Sequence, residues 1–481
     1  MSTSSATPDL APFLERGFLF DAVEDSYEIT EITGEIPSWL RGTYYINGPA
    51  RFERSGLRYK HWLDGDGQVC ALNFGGRSVR FTNRFVRTAK LREEEAAGHA
   101  IYRGFGTKFP GDKLRRGLML EPPNNVSAYH FAGTLLAFGE QAMPYELDPV
   151  TLETKGEYDF HGRLTEVTPF AAHPKFDVDT GHMLNFGVSF SPTEPMLNVY
   201  EFDRTGLMIR RRRHPLRYQH SNHDFAITPN YAVFHLSPLI MDFSKFWGEH
   251  LSVMESLSWQ PDKGSRILIM PRESKKETAF EIEAGRGYCL HLINCFESDG
   301  RITVDLLELV DPAYPEYQPV PDMFPTVTPC SPVRFVIDLR SRSLVERSAM
   351  TYDRSPDFPT PCKHLGGKPY SDFWMLGISA SGKPGRKFFD QLAHGNWKRG
   401  AVDDIYQTAA GQYLGGEPCP VTNPKDPEDA VVINEFIDAE HGRCEILLFE
   451  AAHVAKGPIA RLGLRHKIHL GFHTSFHPMA L

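Results

Sequence analysis

The sequence predicts an all-β protein whose many short strands close on themselves, as they do in a β-propeller. Three observations carry that expectation. Apolar and aromatic runs a few residues long recur along the chain, each bounded by Gly, Pro, Asn or Asp. The 40 glycines and 36 prolines are spread over the whole length, as many tight turns require. Helical periodicity is scarce, and no Pro/Ser-rich linker divides the chain.

In chain order, the first clear strand is Thr43-Tyr44-Tyr45-Ile46, which runs into the turn residues Asn47-Gly48-Pro49. Tyr231-Ala232-Val233-Phe234-His235 follows the turn pair Pro229-Asn230. Arg301-Ile302-Thr303-Val304-Asp305-Leu306-Leu307 follows Asp299-Gly300, and Glu445-Ile446-Leu447-Leu448-Phe449 lies near the C-terminus. Two stretches predict helices: residues 91–98, and Met241 to Leu257, where apolar positions fall near the helical period. Asp64-Gly65-Asp66-Gly67 resembles half a calcium loop but lacks its remaining ligand spacing, so it predicts a turn near the centre of the fold.

Composition narrows the function. The 481 residues are 41% hydrophobic and 23% charged, an ordinary globular balance with enough chain for a sizeable core. A net charge of -9 argues against nucleic acid as a partner. The dense basic run Arg210-Arg211-Arg212-Arg213 predicts a solvated loop or strand end. Seven scattered cysteines with no CxxC pair exclude a zinc ribbon and predict reduced thiols. Residues Met1 to Glu15 do not form a secretory signal, and no apolar stretch is long enough to span a bilayer, so a soluble, cytoplasmic protein is expected.

Twenty histidines is a high count, and the ordinary fate of any one is a satisfied or exposed ring. Four stand beside apolar strand-like sequence, where a lone imidazole needs a buried partner or a metal. They are His173 in Phe170-Ala171-Ala172-His173-Pro174, His223 in Ser221-Asn222-His223-Asp224-Phe225, His291 in Cys289-Leu290-His291-Leu292, and His473 in Gly471-Phe472-His473-Thr474. No HExxH motif, phosphate loop, nucleophile elbow or dinucleotide fingerprint accompanies them.

These four contexts resemble the metal ligands of the carotenoid cleavage oxygenases. The resemblance runs from about Ile36 to the C-terminus. Asn47-Gly48-Pro49 with His61-Trp62-Leu63-Asp64-Gly65-Asp66-Gly67 is similar to that family's N-terminal signature. Leu135-Leu136-Ala137-Phe138-Gly139-Glu140 and Pro144-Tyr145-Glu146-Leu147-Asp148-Pro149 continue it in the family's order.

The resemblance implies a seven-bladed β-propeller over residues 36–481 as one domain, with residues 1–35 an N-terminal extension packing on it. A cap of loops and short helices would cover a central non-heme Fe2+ held by His173, His223, His291 and His473. Ligand spacings of 50, 68 and 182 residues fit blades of about 69 residues each. His477 competes with His473, but the Gly-Phe-His context favours His473.

The matching orienting carboxylates are Glu140, Asp357 and Glu417. Asp357 stands where the family has glutamate, so its shorter arm needs a backbone shift or a bridging water to reach a ring. Glu417 lies in an altered frame, Gly416-Glu417-Pro418-Cys419-Pro420.

The activity implied is dioxygenase cleavage of a carotenoid or apocarotenoid C=C bond by O2, giving two carbonyl products. The alternatives are the same chemistry on a hydroxystilbene or phenylpropanoid alkene, an isomerase, or a carrier on the same scaffold. Stilbene-cleaving members place a lysine where this chain has Gly139, which tilts the reading toward a polyene; Tyr102 or Lys108 would have to supply the missing donor. A small hydrophobic alkene or polyene and O2 are the expected partners. Peripheral membrane contact is expected through Pro238-Leu239-Ile240-Met241-Asp242-Phe243-Ser244-Lys245-Phe246-Trp247.

Overall fold

The computed structural model describes residues 11–76, 78–189, 191, 193–273, 277–318 and 323–479. The expectation about a secretory signal in Met1 to Glu15, and the start of the N-terminal extension, fall mostly outside these residues.

Strands dominate because their side chains find apolar cover on both faces. In Tyr231–Leu236, Ala232, Phe234 and Leu236 join one apolar layer, while Tyr231 and Val233 join the next. That period of two, buried on each side, is what a sheet sandwiched between neighbouring sheets demands. Burial of each large side chain contributes about 1.5–3 kcal/mol.

Among the described residues, seven antiparallel sheets of four or five strands form the blades of a propeller, beside two short two-stranded pairs. Blade 2 begins at the axis with Ser127–Phe131, blade 3 with Lys175–Phe176, and blade 4 with Ala226–Ile227. Blade 5 begins with Tyr288–Ser298, blade 6 with Asp357–Pro361, and blade 7 with Gln412–Asn423. The C-terminal strand Thr474–Pro478 pairs with Gly42–Arg51 and forms the inner strand of blade 1. The N-terminal segment adds outer edges: Ser26–Glu28 pairs with Val79–Phe85 in blade 1, and Ile32–Gly34 with Pro458–Gly463 in blade 7. Segments from both halves of the chain thus pair within blades 1 and 7, and each blade's free edge is its outer strand.

All four expected strands form, within Gly42–Arg51, Tyr231–Leu236, Arg301–Leu309 and Arg443–Glu450. The helix expected at 91–98 is Ala89–Ala97, capped by the Thr88 hydroxyl at one end and by left-handed Gly98 at the other.

Two expectations need correction. Met241 to Leu257 is not one helix. It contains a π-helical turn, Ser244–Gly248, and a four-residue helix, Val253–Ser256, framed by the paired strands Leu239–Met241 and Leu257–Trp259. Its apolar residues serve the cap rather than a helix face. The basic run lies in the strand Met208–Pro215, the outer edge of blade 3, not in a loop. There Arg210 pairs with Glu201, and Arg211 donates to Asn198 Oδ1 at 2.9 Å. Charge on an exposed edge discourages pairing with other chains.

All seven cysteines are unpaired, six of them buried. Among the described residues, no helix is long and apolar enough to cross a membrane.

Candidate metal centre

The axis is where the four singled-out histidines meet. His173, His223 and His473 sit in extended segments just before the inner strands of blades 3, 4 and 1. His291 lies inside the inner strand of blade 5, where the register shifts on either side of Leu292. All four rings are buried, and one ligand atom from each falls within 4.8 Å of the others. Nitrogens about 2.1 Å from a shared ion would lie roughly 3.0–4.2 Å apart, so the cage is of metal-binding size.

Buried polar side chains set this geometry. Asn47 Nδ2 donates to the Asn124 and Ser127 carbonyls at 3.0 Å, and its backbone N–H donates to the His473 carbonyl at 3.3 Å. Phe472 N–H returns to the Asn47 carbonyl at 2.8 Å. The Asn47-Gly48-Pro49 motif thereby pins the His473 segment, and a Cβ on Gly48 would meet His469 Nδ1 at 2.4 Å. Ser127 Oγ donates to the Ala172 carbonyl at 2.6 Å, fixing the His173 loop. Asp224 Oδ2 accepts Leu292 N–H at 2.9 Å, tying the His223 loop to the His291 strand.

The outward ring nitrogens face carboxylates. His223 Nδ1 is 2.8 Å from Glu140 Oε1 without hydrogen-bond alignment, while His291 Nδ1 hydrogen-bonds Asp357 Oδ1 at 2.6 Å. His473 Nδ1 is 3.7 Å from Glu417 Oε2, too long for a direct bond. His173 Nδ1 is 4.0 Å from Asp224, whose Oδ1 is taken by Lys175 at 2.7 Å.

Asp357 thus reaches its ring directly. The strand register shifts between Asp357 and Thr360, and Phe358 adopts a left-handed φ of 54°, which turns the shorter side chain toward the axis. Asp357 also accepts the Tyr317 hydroxyl at 2.5 Å and the Phe358 N–H at 2.8 Å.

These contacts point the inner nitrogens at one another. His173 Nε2 and His223 Nε2 are 2.8 Å apart, and His291 Nε2 is buried without any hydrogen-bond partner. An orphaned imidazole nitrogen in a ring of imidazoles is what a bound cation would satisfy. Burial, then the three neighbouring rings, hold the His173 pKa well below its usual value, so that ring is neutral and can ligate. Burial also lowers His473. At His291 burial acts downward too, but the Asp357 carboxylate outweighs it and raises that ring. The donor set is all nitrogen, which suits a divalent transition metal.

The surroundings are aromatic. Phe358 lies 5.6 Å from the His291 ring and 5.3 Å from the His473 ring, and Phe472 packs on Trp62 at 4.4 Å. The acidic-glycine motif holds the cap over this wall. Asp64 accepts Thr107 Oγ1 at 2.5 Å and Gly106 N–H at 3.2 Å, while Asp66 pairs with Lys90 at 2.9 Å. His61 spans from Leu63 N–H to the Tyr314 carbonyl, at 3.1 and 2.9 Å. His477 is exposed and stacks on His130 with ring centres 3.8 Å apart, away from the cage.

One cavity touches the cage, and a second reaches the Glu140 carboxylate behind His223. The first, of about 520 Å³, runs along the inner strands and reaches His173, His291 and His473, but Lys175, Asp224, Lys363 and Glu417 line it. The other, about 120 Å³, lies under the cap between Phe105, Met119, Leu120, Met241, Phe243, Phe246 and Leu257, and reaches Glu140 and Tyr314. The second has fewer charged groups in its lining, Glu140 alone.

Known proteins share this fold. The family model described as RPE65, retinal pigment epithelial membrane protein, matches residues 20–478. The chain belongs to this family of carotenoid oxygenases. The apocarotenoid-15,15'-oxygenase of Synechocystis sp. is 29% identical over 477 residues, which cover 96% of this chain and 95% of that protein. The isoeugenol monooxygenase of Pseudomonas nitroreducens is 27% identical, covering 93% of this chain and 94% of that protein. The cobalt-substituted Synechocystis ACO crystal structure superposes with a TM-score of 0.89 at 28% identity, covering 97% of this chain and 99% of that one. The fold of this carotenoid oxygenase family member is therefore the seven-bladed propeller the resemblance implies.

Some residues raised from the sequence lie elsewhere. Tyr102 gives its hydroxyl to Glu93 at 2.5 Å, and Lys108 pairs with Glu255 at 3.1 Å; neither lines the cap cavity. Phe246 is buried, with Arg103 over its ring, so it is no exposed docking residue. Gly139 has a packing reason: a Cβ there would meet the Asn124 backbone at 2.9 Å.

Proposed function

We propose that this protein is a non-heme Fe(II) dioxygenase that cleaves a conjugated C=C bond of a carotenoid or apocarotenoid with O2. The alkene and O2 together contain all the atoms of the two carbonyl products. The observation that carries the reading is the convergence of four buried imidazoles, one of them 2.8 Å from the Glu140 carboxylate that lines an apolar cavity under the cap. His173, His223, His291 and His473 would hold the ferrous ion. When bound, that ion supplies the redox chemistry that couples O2 to the double bond.

The chain's own residues do the rest. Glu140 and Asp357 orient the rings of His223 and His291, and Glu417 faces that of His473. Phe105, Met119, Leu120, Phe243, Phe246 and Leu257 bind the hydrocarbon and exclude water. Trp62, Phe358 and Phe472 keep the far wall dry. No side-chain acid or base is required.

The compactness of the cap cavity, about 120 Å³, favours one second reading: a shorter hydroxystilbene or phenylpropanoid alkene. Peripheral membrane contact belongs to the same proposal, with Leu118 and Trp247 as its exposed apolar residues. Liposome flotation of Trp247→Asp tests that contact, which is refuted if binding persists unchanged.

The decisive assay is mass spectrometry of products formed under isotopically labelled dioxygen, with apocarotenals and hydroxystilbenes side by side. Label in both carbonyls supports dioxygenase cleavage. Isomerised but intact substrate identifies the isomerase instead, and an untouched panel refutes the proposal.

A further inference from the structure

The cap cavity is apolar except for a few groups, and two of these carry vacant acceptors with no role in the cage. Gln141 and Gln219 both line it, and the Oε1 atom of each is shielded from solvent with no hydrogen-bond partner. Two other polar lining residues are committed, His220 Nδ1 to the Ser237 carbonyl at 2.8 Å and Asn222 Nδ2 to the His235 carbonyl at 3.4 Å, while Glu140 Oε1 faces His223 at 2.8 Å. Buried acceptors left empty are costly, so they recur where a ligand completes them.

Both glutamines are also held in place. Gln141 follows Glu140 directly, and its backbone lies in the left-handed region at a φ of 54°, a conformation a non-glycine residue adopts only under constraint from its surroundings. The next residue is fixed by Ala142 N–H donating to the Phe170 carbonyl at 3.0 Å. The Gln219 carbonyl accepts Met241 N–H at 3.0 Å, from the cap hairpin that also supplies cavity residues.

We propose that Gln141 and Gln219 form an amide clasp that binds a hydroxyl group of the alkene substrate, making this enzyme selective for hydroxylated conjugated alkenes. The inference rests on the alkene-cleaving reading above and names the substrate feature that reading leaves open. A hydroxyl proton satisfies a vacant amide oxygen, whereas a bare hydrocarbon would bury it unpaired. Because the two acceptors stand in an otherwise apolar cavity, the discrimination is expected against analogues lacking the hydroxyl. A phenol and an alcohol on a terpenoid ring present the same donor.

The test compares matched pairs on the iron-loaded, full-length protein: para-hydroxystilbene against stilbene, and an apocarotenal with against without its ring hydroxyl. Two quantities are read for each pair: the ratio of kcat/KM values, and the ratio of binding constants for double-bond-saturated counterparts that cannot be cleaved, measured by tryptophan quenching. The wild type is expected to favour the hydroxylated member about tenfold or more in at least one pair, which identifies the source of the hydroxyl. Gln141→Leu and Gln219→Leu should each lower that ratio severalfold, whereas Gln141→Glu, which keeps an acceptor, should largely retain it.

Equal handling of both members by the wild type overturns the clasp, as does a preference that both leucine variants keep. Failure of the underlying reading looks different: no alkene is cleaved, yet the binding ratio still responds to the glutamines.

Discussion

Replacing Asp357 by alanine tests how an outward carboxylate supports the cage. In the native fold its two oxygens accept the His291 ring at 2.6 Å, the Tyr317 hydroxyl at 2.5 Å and the Phe358 N–H at 2.8 Å. Truncation strands three buried donors, each costing about 1–3 kcal/mol when left unpaired. A water entering the vacated space would recover part of this, leaving a net loss of about 2–4 kcal/mol. Unfolding entropy of about 2.1 cal/mol/K per residue makes 1 kcal/mol worth roughly 1 °C in a chain of 481 residues, so the melting midpoint should fall by about 2–4 °C. The larger effect is on the metal: without its acceptor the His291 ring loses its tautomer and aim, and Fe(II) affinity should drop about 10–100-fold. Asp357→Asn keeps an acceptor but no charge, and should fall between the two in affinity. Chelator competition under anaerobic conditions, paired with calorimetric melting, reads both quantities. An alanine variant that binds iron within about threefold of the wild type would refute the reasoning.

Three further expectations follow from the same geometry. His223→Ala should remove bound iron and turnover together, by metal analysis and product assay; normal turnover without that ring rejects its role as a ligand. Burial lifts the Glu435 carboxyl to about 8, despite the Gly471 N–H it accepts at 2.9 Å. A carboxyl raised above its unfolded value holds an extra proton in the folded state, so its contribution to stability declines as pH rises from about 4.5 to 8, at up to roughly 1.4 kcal/mol per pH unit. Glu435→Gln should therefore gain on the wild type as pH increases in denaturation series, and a constant difference would contradict the assignment. At Gly416, with φ of 67°, an added Cβ would meet Ile46 Cδ1 at 2.5 Å; Gly416→Ala should shift Glu417, lower the melting midpoint by about 1–3 °C and weaken iron retention, and unchanged retention would speak against a role for Glu417.

The cage was legible in the sequence because its chemistry is concentrated in short contexts. Each histidine lies just before, or within, an inner strand, and the resemblance to the carotenoid cleavage oxygenases, carried by these short contexts, singles the four out. The strands were legible for another reason: side chains such as Ala232, Val233 and Phe234 are buried on both faces. The cap was not. Met241, Phe243, Phe246, Val253 and Leu257 fall at near-helical spacing, yet they line a cavity from a π turn, a single helical turn and two short strands. Nor does any local pattern mark Gln141 and Gln219, because the cavity draws on segments far apart in the chain and only folding makes their amides face one space. The reach of Asp357 depends on the left-handed backbone of Phe358, which composition does not announce.

The most direct test of the account is X-ray absorption spectroscopy of the anaerobically purified, Fe(II)-loaded protein. One iron per chain is expected, with four imidazole nitrogens and no sulfur or protein carboxylate among its ligands. Fewer rings, a carboxylate ligand, or iron bound equally well after all four histidines are replaced would contradict it.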